Sequence, residues 1–215
     1  MKFSQALILV LLAAFYALAL AFYAAMPEPM ASHWNAQGVV DGYTSRFWGM
    51  FLLPFIVTGI SLLLVFIPRL DPLKANIARF RTVYDWFVVF FMAYMLFIYV
   101  LTLLWNLGAR FDFLQVMVPS MAALLFFAGV LTERARRNYF IGIRTPWTLS
   151  NEEVWDRTHK IGGRLFKAAA LVSLLGVFWP KLAIWFILVP ILLVTVIAIV
   201  ISYVIYQRVM AGKAA

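Results

Sequence analysis

Two polar segments hold the residues of this 215-residue chain that could do chemistry. His33 and Asp41 lie in the first polar segment, residues 27–46, and Glu153 and His159 lie in the second polar segment, residues 133–164. A histidine beside a carboxylate can transfer protons or bind a metal, but a metal site normally has three protein ligands. Neither segment has the H-E-x-x-H spacing of a zinc protease, and the chain has no cysteine. We therefore predict no catalytic residue, no metal site and no cofactor.

The first polar segment has the composition of an ordered turn. Residues 35–38 read Asn-Ala-Gln-Gly, and Asp41-Gly42 fits the centre of a two-residue type I′ hairpin turn within residues 39–44. Asparagine and aspartate side chains in such loops bond to nearby backbone groups. The segment is therefore expected to be ordered, and a recognition surface is the alternative role for its polar side chains.

The second polar segment predicts an amphipathic helix. Ser150 and Glu153 have the S-x-x-E spacing of a capping box, so a helix should begin at Asn151. Its apolar stripe predicts that it lies at the cytoplasmic face of a membrane, and the two glycines at 162–163 predict its end. We expect His159 to be a hydrogen-bonded histidine at that interface rather than a ligand or a base.

Basic residues crowd the start of the second polar segment. Four arginines there could hold an anionic lipid headgroup or an acidic partner, or they could serve only to fix the orientation of the chain in a membrane. Both readings stay open for Arg134, Arg136, Arg137 and Arg144.

The elements that position these segments must be membrane helices. The chain is 65% hydrophobic and only 13% charged, whereas a soluble domain carries about 25% charged residues. A spanning helix needs about 20 apolar residues. The first apolar run exceeds the length of a signal-peptide core, so an uncleaved anchor is expected. We predict an all-α transmembrane bundle forming a single membrane domain, residues 1–215, with six spans at about 6–26, 47–67, 84–107, 113–131, 165–179 and 182–206.

The fifth of these spans is short and contains Lys167. A long basic side chain near the end of a span can extend its amine to the lipid headgroups. We therefore count this run as a span and expect Lys167 to reach the membrane surface.

The distribution of positive charge predicts the orientation of the bundle. With six spans, fifteen of the eighteen Lys and Arg residues fall on one side, from Lys2 to Lys213, and only Arg46, Arg110 and Lys181 fall on the other. Because cytoplasmic loops are enriched in Lys and Arg, both termini and the second polar segment are predicted to be cytoplasmic, and the first polar segment extracytoplasmic. The net charge of +9 then reflects topology rather than nucleic-acid binding.

Both polar segments resemble a known family. The stretch from Arg137 to Leu149, followed by Glu153-x-Trp155-x-x-Thr158-His159-x-x-Gly162, closely resembles the cytoplasmic signature of SdpI-family proteins. The run His33-Trp34-Asn35-x-x-Gly38-x-x-Asp41 resembles a small domain of unknown function that opens many of those chains. Together the motifs and the span pattern cover nearly the whole sequence.

The resemblance implies a multi-pass protein of the bacterial cytoplasmic membrane that gives immunity to a toxin. The founding member protects its cell from a secreted killing peptide and relays the presence of that peptide by tethering a small cytoplasmic repressor. The implied partners are therefore the lipid bilayer, a secreted peptide toxin and a small repressor. The implied binding residues are Asn138, Gly142, Arg144, Thr145, Pro146, Trp147, Glu153, Trp155 and His159 inside, and Pro29, His33, Asn35, Gly38 and Asp41 outside.

Two other functions stay open at this point. One is a membrane-embedded enzyme that acts on lipid or peptide at the inner face, with Glu153 and His159 as its acid–base pair. The other is a transporter or channel, which is disfavoured because no span holds an ionisable residue at its middle.

Overall fold

Six long apolar helices make up most of the chain. The computed structural model describes the backbone of residues 3–214 and the side chains of residues 3–212, so Lys2 and the side chain of Lys213 lie outside the described part. Each long helix is long and apolar enough to cross a membrane, which confirms the predicted number of six. They are α1 (Phe3–Phe22), α2 (Arg46–Leu70), α4 (Arg81–Asn106), α5 (Phe113–Arg134), α7 (Glu152–Leu174) and α8 (Ala183–Ala214).

Two short helices lie in the connections on one end of the bundle. Helix α3 (Lys74–Arg79) joins α2 to α4, and helix α6 (Pro146–Ser150) lies in the second polar segment between α5 and α7. Turns of 3₁₀ helix extend α1 over Tyr23–Ala25 and link α7 to α8 over Leu175–Phe178 and Pro180–Leu182.

The long helices pack in two groups. Buried side chains of α1, α2 and α4 form the largest apolar core, which includes Phe15, Met50 and Tyr99. Smaller apolar clusters join α5, α7 and α8, for example around Leu125 and Ala170. The second polar segment belongs to both groups, because it joins α5 to α7 and its residues also enter the largest core.

Helices α5 and α7 approach each other closely at two glycines. A Cβ added to Gly163 would lie 2.5 Å from the carbonyl oxygen of Gly129 and would overlap the side chain of Glu133. Small residues permit such close packing between membrane helices. The predicted helix end at Gly162-Gly163 is therefore wrong, because α7 runs through both residues and the glycines serve packing instead.

The start of α7 also differs from the prediction. Asn151 caps the helix, and its side-chain oxygen accepts hydrogen bonds from the backbone N–H groups of Glu153 and Val154. Ser150 instead ends α6, where its hydroxyl bonds to the carbonyl of Trp147. The polar stretch that we expected as a separate helix is the first half of a long continuous helix.

A small β-hairpin accompanies the predicted helical bundle, but its turn lies elsewhere than predicted. Strands β1 (Met30–Trp34) and β2 (Val40–Thr44) pair antiparallel within the first polar segment. The turn is formed by residues 35–38, whereas Asp41-Gly42, the predicted turn, lies inside β2. Asn35 selects this turn because its side-chain oxygen accepts from the N–H groups of Gln37 and Val39.

Candidate functional site

The tip of the second polar segment is locked by Asn138. This side chain is fully buried, and its amide nitrogen donates to the carbonyls of Arg136 and Ile141. Its oxygen accepts from the N–H groups of Phe140 and Ile141, at 2.9 and 2.6 Å. Both ends of the Asn138 amide thus make two hydrogen bonds, and the four bonds together fix residues 136–141.

His159 packs directly against Gly142 beneath that tip. His159 Nε2 accepts the N–H of Ile143 at 2.9 Å, and Nδ1 donates to the carbonyl of Trp155 at 2.8 Å. An Nε2 that accepts carries no proton, so the imidazole is neutral. Gly142 has a φ of +112°, and a Cβ there would overlap the His159 ring.

The buried ring of Trp155 completes this arrangement. The His159 ring stacks on it with 3.8 Å between centroids, and Trp155 Nε1 donates to the carbonyl of Ala135. Both nitrogens of His159 are therefore bonded to the backbone, which leaves it no free atom for proton transfer. Its partner in the enzyme hypothesis, Glu153, is exposed and pairs with Arg157 at 2.6 Å. The geometry argues against that acid–base pair.

Thr145, Pro146 and Thr148 build the start of α6. The N–H of Thr145 donates to the hydroxyl of Thr148, and the N–H of Thr148 donates to the hydroxyl of Thr145. Proline at the first helical position needs no N–H partner there. The capping box of this segment therefore lies at Thr145 and Thr148, and its predicted position at Ser150 and Glu153 is wrong. The Thr-Pro-x-Thr pattern is the signal in the sequence that could have located it.

Trp147 ties the second polar segment to the last helix. Its indole N–H donates to the hydroxyl of Ser202 at 2.6 Å, and its ring meets Tyr203 edge-on, with 5.3 Å between centroids. Trp147 is thus half-buried against α8. The sequence analysis predicts it as a binding residue, whereas here its side chain contacts α8.

Three side chains of the second polar segment face outward together. Tyr139 and Phe140 are exposed at the tip, and Arg144 is exposed beside them with its guanidinium bonded to the carbonyl of Tyr139. Of these, only Arg144 was among the predicted binding residues. We call Tyr139, Phe140 and Arg144 the aromatic tip.

Asp71 joins α2 to this tip. Its buried carboxylate accepts the N–H of Tyr139 at 2.8 Å and the N–H of Leu73 at 2.6 Å. Nearby, Asn76 of α3 donates to the carbonyl of Arg137. Sequence reasoning missed this link, because the Asp71-Pro72 pair indicates only a local turn.

The predicted binding residues of the hairpin, at the other end of the bundle, are less buried than those of the second polar segment. His33 Nδ1 and the carboxylate of Asp41 form a cross-strand pair, and both side chains are exposed. Asn35 directs its side-chain oxygen at the turn backbone, and Gly38 has the positive φ of the turn. Pro29 is exposed just before β1.

Two long-range contacts hold the hairpin on the bundle. The side chain of Asn106 in α4 bonds to both the N–H and the carbonyl of Ala31. The ring of Trp34 stacks on Phe113 of α5, with 4.1 Å between centroids. Neither partner was among the residues that the sequence singled out.

An apolar cavity of about 380 Å³ lies between the hairpin and the helices. Its walls come from both strands of the hairpin, α2, α4 and α5, and His33 is among the residues that line it. A volume of this size falls within the range of small-ligand sites, which are mostly apolar with few polar groups. Characteristic lining residues are Ser32, Trp34, Leu52, Thr102, Phe113 and Met117.

Comparison with known proteins finds a different family model for each polar segment. Residues 134–204 match the SdpI/YfhL protein family, and residues 8–58 match a domain of unknown function, DUF1648. Over 108 residues, half of this chain, the sequence is 29% identical to Immunity protein SdpI of Bacillus subtilis (strain 168). The match spans about half of that relative, 52% of its length. No solved structure matches the chain. The predicted resemblance is confirmed: this multi-pass membrane protein resembles the SdpI/YfhL family over residues 134–204, about a third of its length.

Proposed function

We propose that this protein gives a bacterial cell immunity to a secreted antimicrobial peptide and relays the presence of that peptide to a small cytoplasmic repressor. The observation that carries the proposal is the similarity to Immunity protein SdpI, together with family matches that cover both ordered polar segments. The cytoplasmic membrane of a bacterium is the location that this function requires.

The hairpin end of the bundle is the proposed place where the peptide binds. A membrane-active peptide presents apolar side chains, and the cavity beneath the hairpin offers an apolar space beside exposed polar groups. His33 and Asp41 stand at the edge of this region with their side chains exposed. The predicted extracytoplasmic orientation of the hairpin is part of the proposal.

Helix α2 is the proposed mechanical link between the two ends. At its start, the N–H of Arg46 donates to Glu28 beside the hairpin, and Trp48 and Leu52 line the cavity. Just past its end, Asp71 accepts the N–H of Tyr139. A peptide that prefers one position of α2 over another would therefore shift the aromatic tip, since a ligand moves an equilibrium by its difference in affinity.

The aromatic tip is the proposed contact for the repressor. Tyr139 and Phe140 supply exposed aromatic surface, and Arg144 supplies an exposed charge. Aromatic residues and arginine are enriched where proteins bind each other. The buried residues of the same segment, such as Asn138 and His159, would hold the tip in shape.

A complementation experiment tests the proposal. Bacillus subtilis cells that lack their own Immunity protein SdpI would express this chain and be exposed to culture supernatant of the unmodified strain. Survival is expected with the wild-type chain. Ser32→Trp should abolish survival, because Ser32 is exposed and lines the cavity, so a large ring there obstructs the opening.

Gln37→Trp is the matched control, because residue 37 is exposed on the same hairpin and does not line the cavity. It should preserve survival. Unchanged killing of cells whose membranes contain the wild-type chain would contradict the proposal. Equal survival of cells with the two variants would show that the peptide does not bind in the cavity.

A further inference from the structure

A basic cavity of about 650 Å³ opens between the end of α5 and the polar first half of α7. It lies at the opposite end of the bundle from the hairpin. Two carboxylates, Glu133 and Asp156, take part in its lining. The cations around it are Arg134, Arg136, Arg157, Lys160, Arg164 and Lys167.

The carboxylates of this basic cavity are already engaged. Glu133 contacts Lys167 at 2.8 Å and Arg164 at 3.9 Å, and Asp156 contacts Arg136 at 2.9 Å. The amine of Lys167, which we expected at the membrane surface, is thus paired with Glu133. Arg157 pairs with Glu153, which lies outside the lining, at 2.6 Å. Three carboxylates therefore face six cations, so the cavity keeps an excess of positive charge.

Two cations of the basic cavity have no partner in the protein. Within residues 3–212, neither the side chain of Arg134 nor that of Lys160 makes a hydrogen bond, an ion pair or a ring contact, and both are exposed. Their charges are free to meet an anion from outside. Arg136 is half-exposed and can share its guanidinium between Asp156 and a second acceptor, since the group carries five donors.

The basic cavity lies where the helices change from polar to apolar. Helix α5 is largely apolar up to Leu131 and charged from Glu133, and α7 is charged up to Lys167 and apolar after it. One helical turn beyond Lys167, the side chain of Leu171 is 61% exposed. This arrangement places cations at the level of lipid phosphates and an apolar surface at the level of acyl chains.

We propose that the basic cavity binds the phosphate headgroup of an anionic phospholipid. An arginine guanidinium can donate two parallel hydrogen bonds to two oxygens of one phosphate, and the ammonium group of Lys160 adds a positive charge beside them. A lipid can enter sideways along α7, whereas a soluble anion gains nothing from the adjoining apolar surface. The proposal is independent of immunity, because none of these residues lines the cavity under the hairpin.

The test uses the full chain purified in detergent. Its unfolding temperature is measured by tryptophan fluorescence during titration with dioleoylphosphatidylglycerol, which is anionic, or dioleoylphosphatidylcholine, which is zwitterionic. A ligand that binds only the folded state raises this temperature. Arg134→Gln/Lys160→Gln removes the two unpartnered cations and should leave the fold intact.

The matched control is Lys74→Gln/Arg208→Gln, which removes two exposed cations from the same end of the bundle but outside the cavity. The anionic lipid should raise the unfolding temperature of the wild-type and control proteins, with an apparent affinity about tenfold weaker in the cavity variant. Phosphatidylcholine should have little effect.

Three results would overturn the proposal. Equal affinity of the two double variants would mean that the lipid responds only to overall charge. An equal shift with glycerol 3-phosphate or inorganic phosphate would identify a soluble phosphate as the ligand. Displacement of the lipid by a short poly-glutamate peptide, at equal charge concentration, would favour an acidic protein segment.

Discussion

The two histidines of this chain lie in regions that use the same residue type in opposite ways. His33 is exposed on a hairpin and pairs with Asp41 across two strands. His159 is buried, stacks on Trp155 and bonds to the backbone through both nitrogens. A motif residue can therefore stand at a binding surface or build the support beneath one, and only the packing distinguishes the two roles.

The same contrast extends to the surrounding segments. In the second polar segment, part of the family signature is buried and bonded, as for Asn138, Thr148 and Trp155, while Tyr139, Phe140 and Arg144 of the same signature face outward. In the first polar segment, the polar motif residues are half-buried or exposed, and the apolar cavity lies directly beneath them. Substitutions of the buried motif residues should therefore cost stability, whereas substitutions of the exposed ones should leave stability nearly unchanged.

The largest effect is expected for Trp155→Ala. Removing this fully buried ring leaves a cavity beneath His159 and frees the carbonyl of Ala135, which should lower the free energy of unfolding by about 3–5 kcal/mol. The measurement is denaturant or thermal unfolding in detergent. The control is Trp179→Ala, because Trp179 is half-exposed in the turn before α8 and should cost far less.

Trp155→Phe keeps this prediction testable if the alanine variant does not fold. The phenyl ring retains stacking on His159 and loses only the indole N–H, so a cost of about 1 kcal/mol is expected. Equal costs for the Trp155 and Trp179 alanine variants would show that the second polar segment does not depend on its buried core.

A smaller effect is expected for Asp71→Ala. The change removes an acceptor from the N–H groups of Leu73 and Tyr139, and an unsatisfied buried donor costs about 1–3 kcal/mol. Hydrogen exchange at residues 138–141 should become faster, because the tip loses its tie to α2. Asp112→Ala is the control, since Asp112 caps α5 at the hairpin end and its loss should leave exchange at the tip unchanged.

Unchanged exchange at residues 138–141 in Asp71→Ala would contradict the proposed link through α2. Faster exchange there in both variants would instead indicate a general loss of stability.

The long helices were predictable and their ends were not. Apolar runs define five spans directly, because each must satisfy its backbone internally and match the bilayer, and the sixth follows once Lys167 is placed near the end of its run. The two glycines at 162–163 are typical of a helix end, yet here Gly163 permits close contact with Gly129 of α5. The choice between these two roles depends on a residue 34 positions away, which the local pattern does not contain.

The candidate sites were predictable in location but not in contacts. The first polar segment contains two sequence patterns typical of turns, one at Asn35 and one at Asp41-Gly42. The turn forms at Asn35, because its side chain bonds to the backbone there. Asp71 and Asn106 bond to backbone 68 and 75 residues away, so no local spacing reveals their role. The basic cavity likewise combines residues of two helices, the end of α5 and the first half of α7. Of the four arginines that the sequence indicated as a possible anion site, only Arg134 and Arg136 line it.

The smallest effect is expected for His33→Ala, and this variant tests the contrast between the two ends of the bundle most directly. Exposed ion pairs contribute about 0–1 kcal/mol, so loss of the His33–Asp41 pair should change the free energy of unfolding by less than about 1 kcal/mol. His159→Ala should cost at least about twice as much, because it empties a buried site and leaves the N–H of Ile143 without an acceptor. Both variants would be unfolded in the same detergent and at the same pH. If the two alanine variants lost equal stability, the distinction between the exposed and the buried histidine would fail at the residues that define it.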